Sequence, residues 1–209
     1  MIRLLRLLFF AVFVRPLTFL VLGLNIRGRK HLPVDGPAII VANHNSHLDT
    51  LVLMSLFPLE NLRKVHPVAA ADYFLTGKFI SWFSQKIIGI IPLSRKMSHK
   101  NRDPFSPIKR ALDRGEIIIF FPEGSRGSPE EMTPIKSGIA HLVKDHPHVP
   151  IVPVFLSGLG KALPKGDPIL VPFHVDVKIG EPIFQGIDRN ALIEAIREEF
   201  ESACLAKKC

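Results

Sequence analysis

Two short apolar runs constrain this chain most, residues 37–42 (PAIIVA) and 115–121 (GEIIIFF). Neither alternates with polar residues, so neither reads as a strand with one wet face. Such a run fits a strand covered on both faces. Segments 65–71, 90–93 and 150–156 read as further strands. Helical patterns lie between them at 47–57, 74–88, 105–114 and 134–145, the third closed by Gly115. Strands alternating with helices predict an α/β fold, a mixed, largely parallel sheet flanked by helices. Residues 169–180 alternate but carry Pro172, and 150–154 carry Pro153. Both prolines point to an edge strand or a bulge. Residues 95–104 are polar and read as a loop. Residues 188–206 predict an amphipathic C-terminal helix with Asp188 as its N-cap.

One stretch does not belong to this pattern. Residues 4–24 read LLRLLFFAVFVRPLTFLVLGL, with Arg3, Arg6, Arg15, Arg27, Arg29 and Lys30 in or around it. A signal peptide would need a small-residue cleavage site, and none is evident before GLNIRGRK. A spanning helix needs about 20 apolar residues, and here Arg15-Pro16 falls in the middle. Two short helices, 2–14 and 17–24, are favoured over a spanning helix and over a buried core helix. The first would reach roughly 20 Å, too short to cross, and would lie in one leaflet with its arginines at headgroup level. Residues 1–24 are therefore read as a membrane-associating anchor and 25–209 as the functional domain, at the cytoplasmic face of the membrane, monotopic or single-pass.

Composition agrees. The 209 residues hold 27 Lys+Arg against 19 Asp+Glu, a net charge of +8, yet are 47% hydrophobic. Mean hydropathy is +0.24. A nucleic-acid binder of this charge would be more polar, whereas an anionic membrane surface attracts a chain both basic and apolar. Disorder, collagen-like sequence and a disulfide scaffold are excluded. The two cysteines, Cys204 and Cys209, read as reduced thiols in a cytosolic setting.

Four blocks could carry chemistry. Asn43-His44-Asn45-Ser46-His47-Leu48-Asp49 follows the first buried strand, at the strand end where α/β folds place ligands. A histidine beside a carboxylate supplies the parts of a general base. On one continuous helix His44 and Asp49 would lie about 140° apart, so they meet only if His44 precedes the helix and Asp49 opens it. Ser46-x-x-Asp49 is equally a capping box. His44, His47 and Asp49 could also ligate a metal in a hydrolase. Phe121-Pro122-Glu123-Gly124-Ser125-Arg126-Gly127 follows the second buried strand. Its glycines allow close approach to a ligand, Arg126 offers a planar fork for a phosphate, and Glu123 offers an acceptor for a hydroxyl. Residues 89–95 (GIIPLSR) end on Arg95, and 150–154 read PIVPV.

In this order and spacing the four blocks resemble the glycerolipid acyltransferase family typified by 1-acylglycerol-3-phosphate acyltransferase. That family carries NHxxxxD, a block ending in arginine, FPEG[TS]R and a V-P-[VI]-like block. The resemblance covers roughly residues 25–180. It implies that His44, rather than His47, is the general base, that Asp49 orients it, and that an acceptor hydroxyl attacks a thioester directly. Glu123, Gly124, Ser125 and Arg126 would hold the acceptor, with Arg126 and Arg95 on its phosphate and Lys136 a further candidate. The product would be phosphatidic acid. Another acceptor, such as glycerol 3-phosphate, a lysophospholipid or a lyso-aminolipid, would use the same chemistry. The implied partners are a membrane lipid substrate, an anionic membrane surface and an acyl donor, either acyl-CoA or acyl-carrier protein. No cofactor, metal or nucleic acid is called for. Ser125 stands where many members have threonine, Pro92 where many have phenylalanine, and Ser94 where many have aspartate.

Overall fold

The two runs without polar alternation form the middle of a sheet. The structure, a computed structural model, describes residues 1–74, 77–94, 103–125, 133–163, 170–184 and 188–205. Its strands are β1 (Leu24–Arg27), β2 (Ala38–Ala42), β3 (Val65–Ala70), β4 (Ile91–Leu93), β5 (Ile117–Phe120), β6 (Ile151–Ser157) and β7 (Val175–Ile179). Among the described residues they make one sheet in the order β1-β7-β6-β2-β5-β3-β4. Strands β4, β3, β5, β2 and β6 run parallel, β7 runs antiparallel to β6, and β1 runs parallel to β7. The mixed, largely parallel sheet read from the sequence is what forms.

Successive residues of β2 and β5 serve opposite faces. Ile40, Ile117 and Ile119 join one apolar cluster with Phe10, Val14, Val52 and Leu53. Ile39, Val41 and Ile118 join a second with Ile108, Ile139, Leu142, Ile196 and Phe200. Helices therefore cover both faces. Full burial of each such side chain is worth about 1.5–3 kcal/mol, which is why no polar residue interrupts these strands.

Pro153 does not mark an edge. It lies on β6 between β2 and β7, opposite Val41. Its carbonyl accepts from Gly180 N–H at 2.8 Å, so its missing donor faces the same β7 side. Val154 opposite Ile179 opens the full antiparallel ladder there, so Pro153 forgoes only the return bond to Gly180 at the ladder's end. The late strand β7 is not an edge either, because β1 lies outside it. β1 itself falls where the sequence reads as the end of an anchor.

The N-terminal stretch is one helix, Ile2–Val21, rather than two. Pro16 keeps helical angles, φ −58° and ψ −43°. Wider π turns flank it at Phe9–Val14 and Leu17–Val21. Bonds to the fifth residue back move the carbonyls away from the proline ring. One stripe of this helix is buried: Phe10, Val14, Thr18 and then Leu22. Leu4, Leu8, Val12, Phe13 and Leu20 face outward and are exposed. Its arginines are not all at headgroup level. Arg6 donates to the carbonyls of Val65 and Ile88 at 3.0 and 3.1 Å. Arg15 donates to Phe57 O at 2.9 Å and Arg29 to Leu56 O at 3.0 Å. Those two carbonyls follow helix Asp49–Ser55, whose C-terminal end attracts cations.

Candidate active site

The parallel strands bring the ends of β2, β5, β3 and β4 to one side of the sheet. There the chain leaves β2 through Asn43, a buried amide that behaves as one more ladder residue. Its Nδ2 donates to Leu156 O at 2.8 Å, and its Oδ1 accepts from Leu156 N–H at 2.7 Å. This clamps the end of β2 to β6 and fixes where His44 begins.

His44 precedes the helix and Asp49 opens it, the arrangement in which the two can meet. His44 Nδ1 lies 2.9 Å from Asp49 Oδ2. The same oxygen accepts the N–H groups of Asn45 at 2.7 Å and Ser46 at 2.9 Å. Asp49 thus caps the turn and orients the imidazole together. The two readings of Ser46-x-x-Asp49 describe one carboxylate. A carboxylate only accepts, so Nδ1 carries the proton and Nε2 keeps a lone pair. Asp49 is fully buried, whereas the His44 side chain keeps 20% of its surface exposed. Phe121 stacks on the imidazole with centroids 4.2 Å apart and planes at 23°. The ring is fixed by an edge contact to Asp49 and a face contact to Phe121.

Glu123 joins the two motif blocks. It is 4% exposed. Its Oε1 accepts the N–H of His44 at 2.8 Å, and its Oε2 accepts from the Thr133 hydroxyl. Burial pushes its carboxyl above the usual range, opposed by those hydrogen bonds and by the nearby imidazole. Glu123 thereby supports the turn that carries His44. Gly124 has φ +71°, and a Cβ there would come within 3.0 Å of Lys136 Nζ. Lys136 N–H donates to Pro122 O at 2.9 Å, which holds residues 133–136 across the loop. Helix Gly138–Lys144 therefore begins later than its periodicity predicts.

These residues edge a cleft of about 540 Å³, within the range of small-molecule sites. His44, His47, Gly124, Ser125 and Lys136 line its polar part; Val68, Ile90, Leu93 and Phe105 line an apolar part. Arg95 and Arg126 lie outside the described residues. His47 is exposed, and among the described residues no three His, Cys, Asp or Glu side chains are grouped to hold a metal ion. Sequence reasoning missed roles for Asn43, Phe121 and Thr133. Phe121 directly follows the buried run, but nothing in its spacing marks it as a wall for His44.

An imidazole with one nitrogen tied to a buried carboxylate and the other at a cleft can take a proton from a hydroxyl. In the crystal structure of the 1-acyl-sn-glycerophosphate (LPA) acyltransferase of Thermotoga maritima the same fold recurs, with TM-score 0.80 at 22% identity over 99% of this chain and 81% of that one. The chloroplastic 1-acyl-sn-glycerol-3-phosphate acyltransferase of Brassica napus is 32% identical over 162 residues, 77% of this chain and 45% of that protein. The human 1-acyl-sn-glycerol-3-phosphate acyltransferase alpha is 30% identical over 136 residues, 64% of this chain and 45% of that protein. The chain spans about half the length of the relatives it matches. The acyltransferase family model matches residues 23–157. That match takes in β2, the His44–Asp49 turn and the Glu123 loop, and on it the chain belongs to the acyltransferase family.

Proposed function

We propose that this chain moves a fatty acyl group from a thioester donor to the free hydroxyl of 1-acyl-glycerol-3-phosphate, giving phosphatidic acid. One observation carries the reading. The Nδ1 of His44 is committed to buried Asp49, 2.9 Å away, while the ring edges a cleft with polar and apolar parts. Nε2 takes the proton of the acceptor hydroxyl as its oxygen attacks the thioester carbonyl. The thiolate leaves and recovers the proton from the imidazolium. Asp49 stabilises that cation and holds the tautomer, and no protein side chain is acylated. Glu123 positions the His44 backbone. Gly124, Ser125 and Lys136 meet the acceptor, and Arg95 and Arg126 take its phosphate. The apolar part of the cleft suits an acyl chain. The names of the matched relatives support the acceptor.

The donor is acyl-CoA or acyl-carrier protein, both acidic and both suited to a chain of net charge +8. No metal and no resident cofactor enter this scheme. The outward face of helix Ile2–Val21 lies in one leaflet at the cytoplasmic side of the membrane, without crossing it. The inward stripe on the core supports this reading, because a spanning helix would have to leave that packing.

The test is a donor-by-acceptor matrix on membranes containing this protein. Acyl-CoA and acyl-carrier protein are crossed with 1-acyl-glycerol-3-phosphate, glycerol 3-phosphate, a lysophospholipid and a lyso-aminolipid. Transfer to 1-acyl-glycerol-3-phosphate above all others is expected. Transfer to a different acceptor alone would overturn the assignment of substrate.

A further inference from the structure

A second helix extends the apolar surface of the first. Residues 78–88, formed by Lys78–Phe83 running into the π turn Ser84–Ile88, expose Phe79, Ile80 and Trp82 at 74%, 51% and 40%. The two helices are joined by an unbroken run of rings. Phe13 stacks on Phe9 at 6.1 Å, Phe9 meets Phe83 edge-on at 5.2 Å, Phe83 stacks on Phe79 at 6.2 Å, and Phe79 lies 6.3 Å from Trp82. Both ends of this run are exposed. Arg6 fastens the pair by donating to Ile88 O at 3.1 Å. The rim of the second helix is basic, with Lys78 and Lys86 both exposed. The chain enters and leaves this helix at the cleft, since Asp72 before it and Ile90 after it both line the wall.

We infer that residues 78–88 form a second lipid-contacting element, which seats the cleft against an anionic bilayer beside the N-terminal helix. Three observations select a bilayer as the occupant. The patch is continuous with the apolar N-terminal helix, its rim carries lysines, and an aromatic residue with a polar N–H sits at its border, as at a headgroup boundary. A lipid acceptor then reaches His44 from the leaflet without passing through water. The inference rests on the membrane reading of the N-terminal helix given above.

Trp82 is the chain's sole tryptophan, so its emission reports on this helix alone. Full-length protein is mixed with vesicles of neutral and anionic phospholipid, followed by sedimentation and by fluorescence with lipids brominated near the headgroup end of the acyl chain. Binding with a blue shift and quenching of Trp82 is expected. Sedimentation with vesicles but no shift or quenching would overturn this inference and leave the N-terminal anchor standing. Failure to sediment would overturn both. A shift that grows with protein concentration in the absence of lipid would assign the face to a second copy of the chain, and also overturn it. Replacing both Phe79 and Ile80 with serine should weaken vesicle partitioning about tenfold or more. Turnover of lysolipid embedded in vesicles should fall, with turnover of detergent-dispersed lysolipid retained. Equal partitioning of this variant and the parent chain would count against the proposal.

Discussion

Asp49 Oδ2 receives three donors at once: the imidazole Nδ1–H of His44 at 2.9 Å and the backbone N–H groups of Asn45 and Ser46 at 2.7 and 2.9 Å. One buried oxygen both shapes the turn and sets the tautomer of the imidazole it presents. The Asp49→Asn variant separates charge from shape. Its amide oxygen can take the three-donor position, but its NH2 then replaces Oδ1, which is buried without a hydrogen-bond partner. Two buried donors left unpaired cost about 1–3 kcal/mol. Loss of the negative charge should lower kcat by roughly 100- to 10,000-fold. Steady-state kinetics and thermal melting should show a large fall in kcat, a modest one in Tm and little change in KM for the lipid acceptor.

Glu123 gives a pH prediction. Its carboxyl is raised above the ordinary range by burial, so the folded state binds the proton more tightly than the unfolded chain. The stability linked to this group is therefore fullest at low pH and declines as pH rises through the ordinary glutamate range to its raised value. Glu123→Gln keeps an oxygen for His44 N–H and an amide for Thr133 without the buried charge. Thermal melts of this variant at neutral pH should match or exceed those of the parent chain, with a flatter dependence on pH above the ordinary glutamate range. A clear loss of stability at neutral pH would mean that the charge itself holds the loop.

Phe121 is a wall for the His44 ring, stacked 4.2 Å from it. Phe121→Leu keeps most of the volume and removes the flat face. Loosening a positioned base by a fraction of an ångström should cost about ten- to a hundredfold in kcat. The change in stability should stay below about 1.5 kcal/mol. Kinetics alongside denaturant unfolding distinguish this from a packing defect, which would move stability first.

The N-terminal helix cannot be removed as a separable anchor. Phe10, Val14 and Leu22 belong to the core cluster with Ile40 and Val52, and Arg15 caps the end of helix Asp49–Ser55. Deleting residues 1–21 should leave an insoluble or unfolded chain. Replacing the outward Leu4, Leu8, Val12, Phe13 and Leu20 with glutamine should release a folded protein from membranes. Circular dichroism together with membrane fractionation checks both outcomes.

What the sequence disclosed follows from where physics leaves a local signature. β2 and β5 were readable because burial on both faces demands unbroken apolar runs. The His44–Asp49 pair was readable because its spacing matches a strand end followed by a helix start. Pro16 and Pro153 misled because their cost depends on what faces the missing donor. At Pro16 π turns relieve it, and Pro153 falls at the end of the adjacent ladder, where only one bond is forgone. β1 escaped notice because four residues, three half-exposed and one exposed, carry little pattern beside an apolar helix. The inward turn of Arg6, Arg15 and Arg29 depends on distant carbonyls that no local window contains. The phosphate-holding roles of Arg95 and Arg126 rest on the motif resemblance.

The central claim is that His44 is the base, and one assay tests it directly. Purified protein in anionic vesicles receives a thioester donor and 1-acyl-glycerol-3-phosphate, and phosphatidic acid is measured for the parent chain, His44→Ala and His47→Ala. The account predicts robust formation by the parent chain and by His47→Ala, and a loss on the order of 1,000-fold or more in folded His44→Ala. Near-parental transfer by His44→Ala, or its loss in His47→Ala alone, would contradict it.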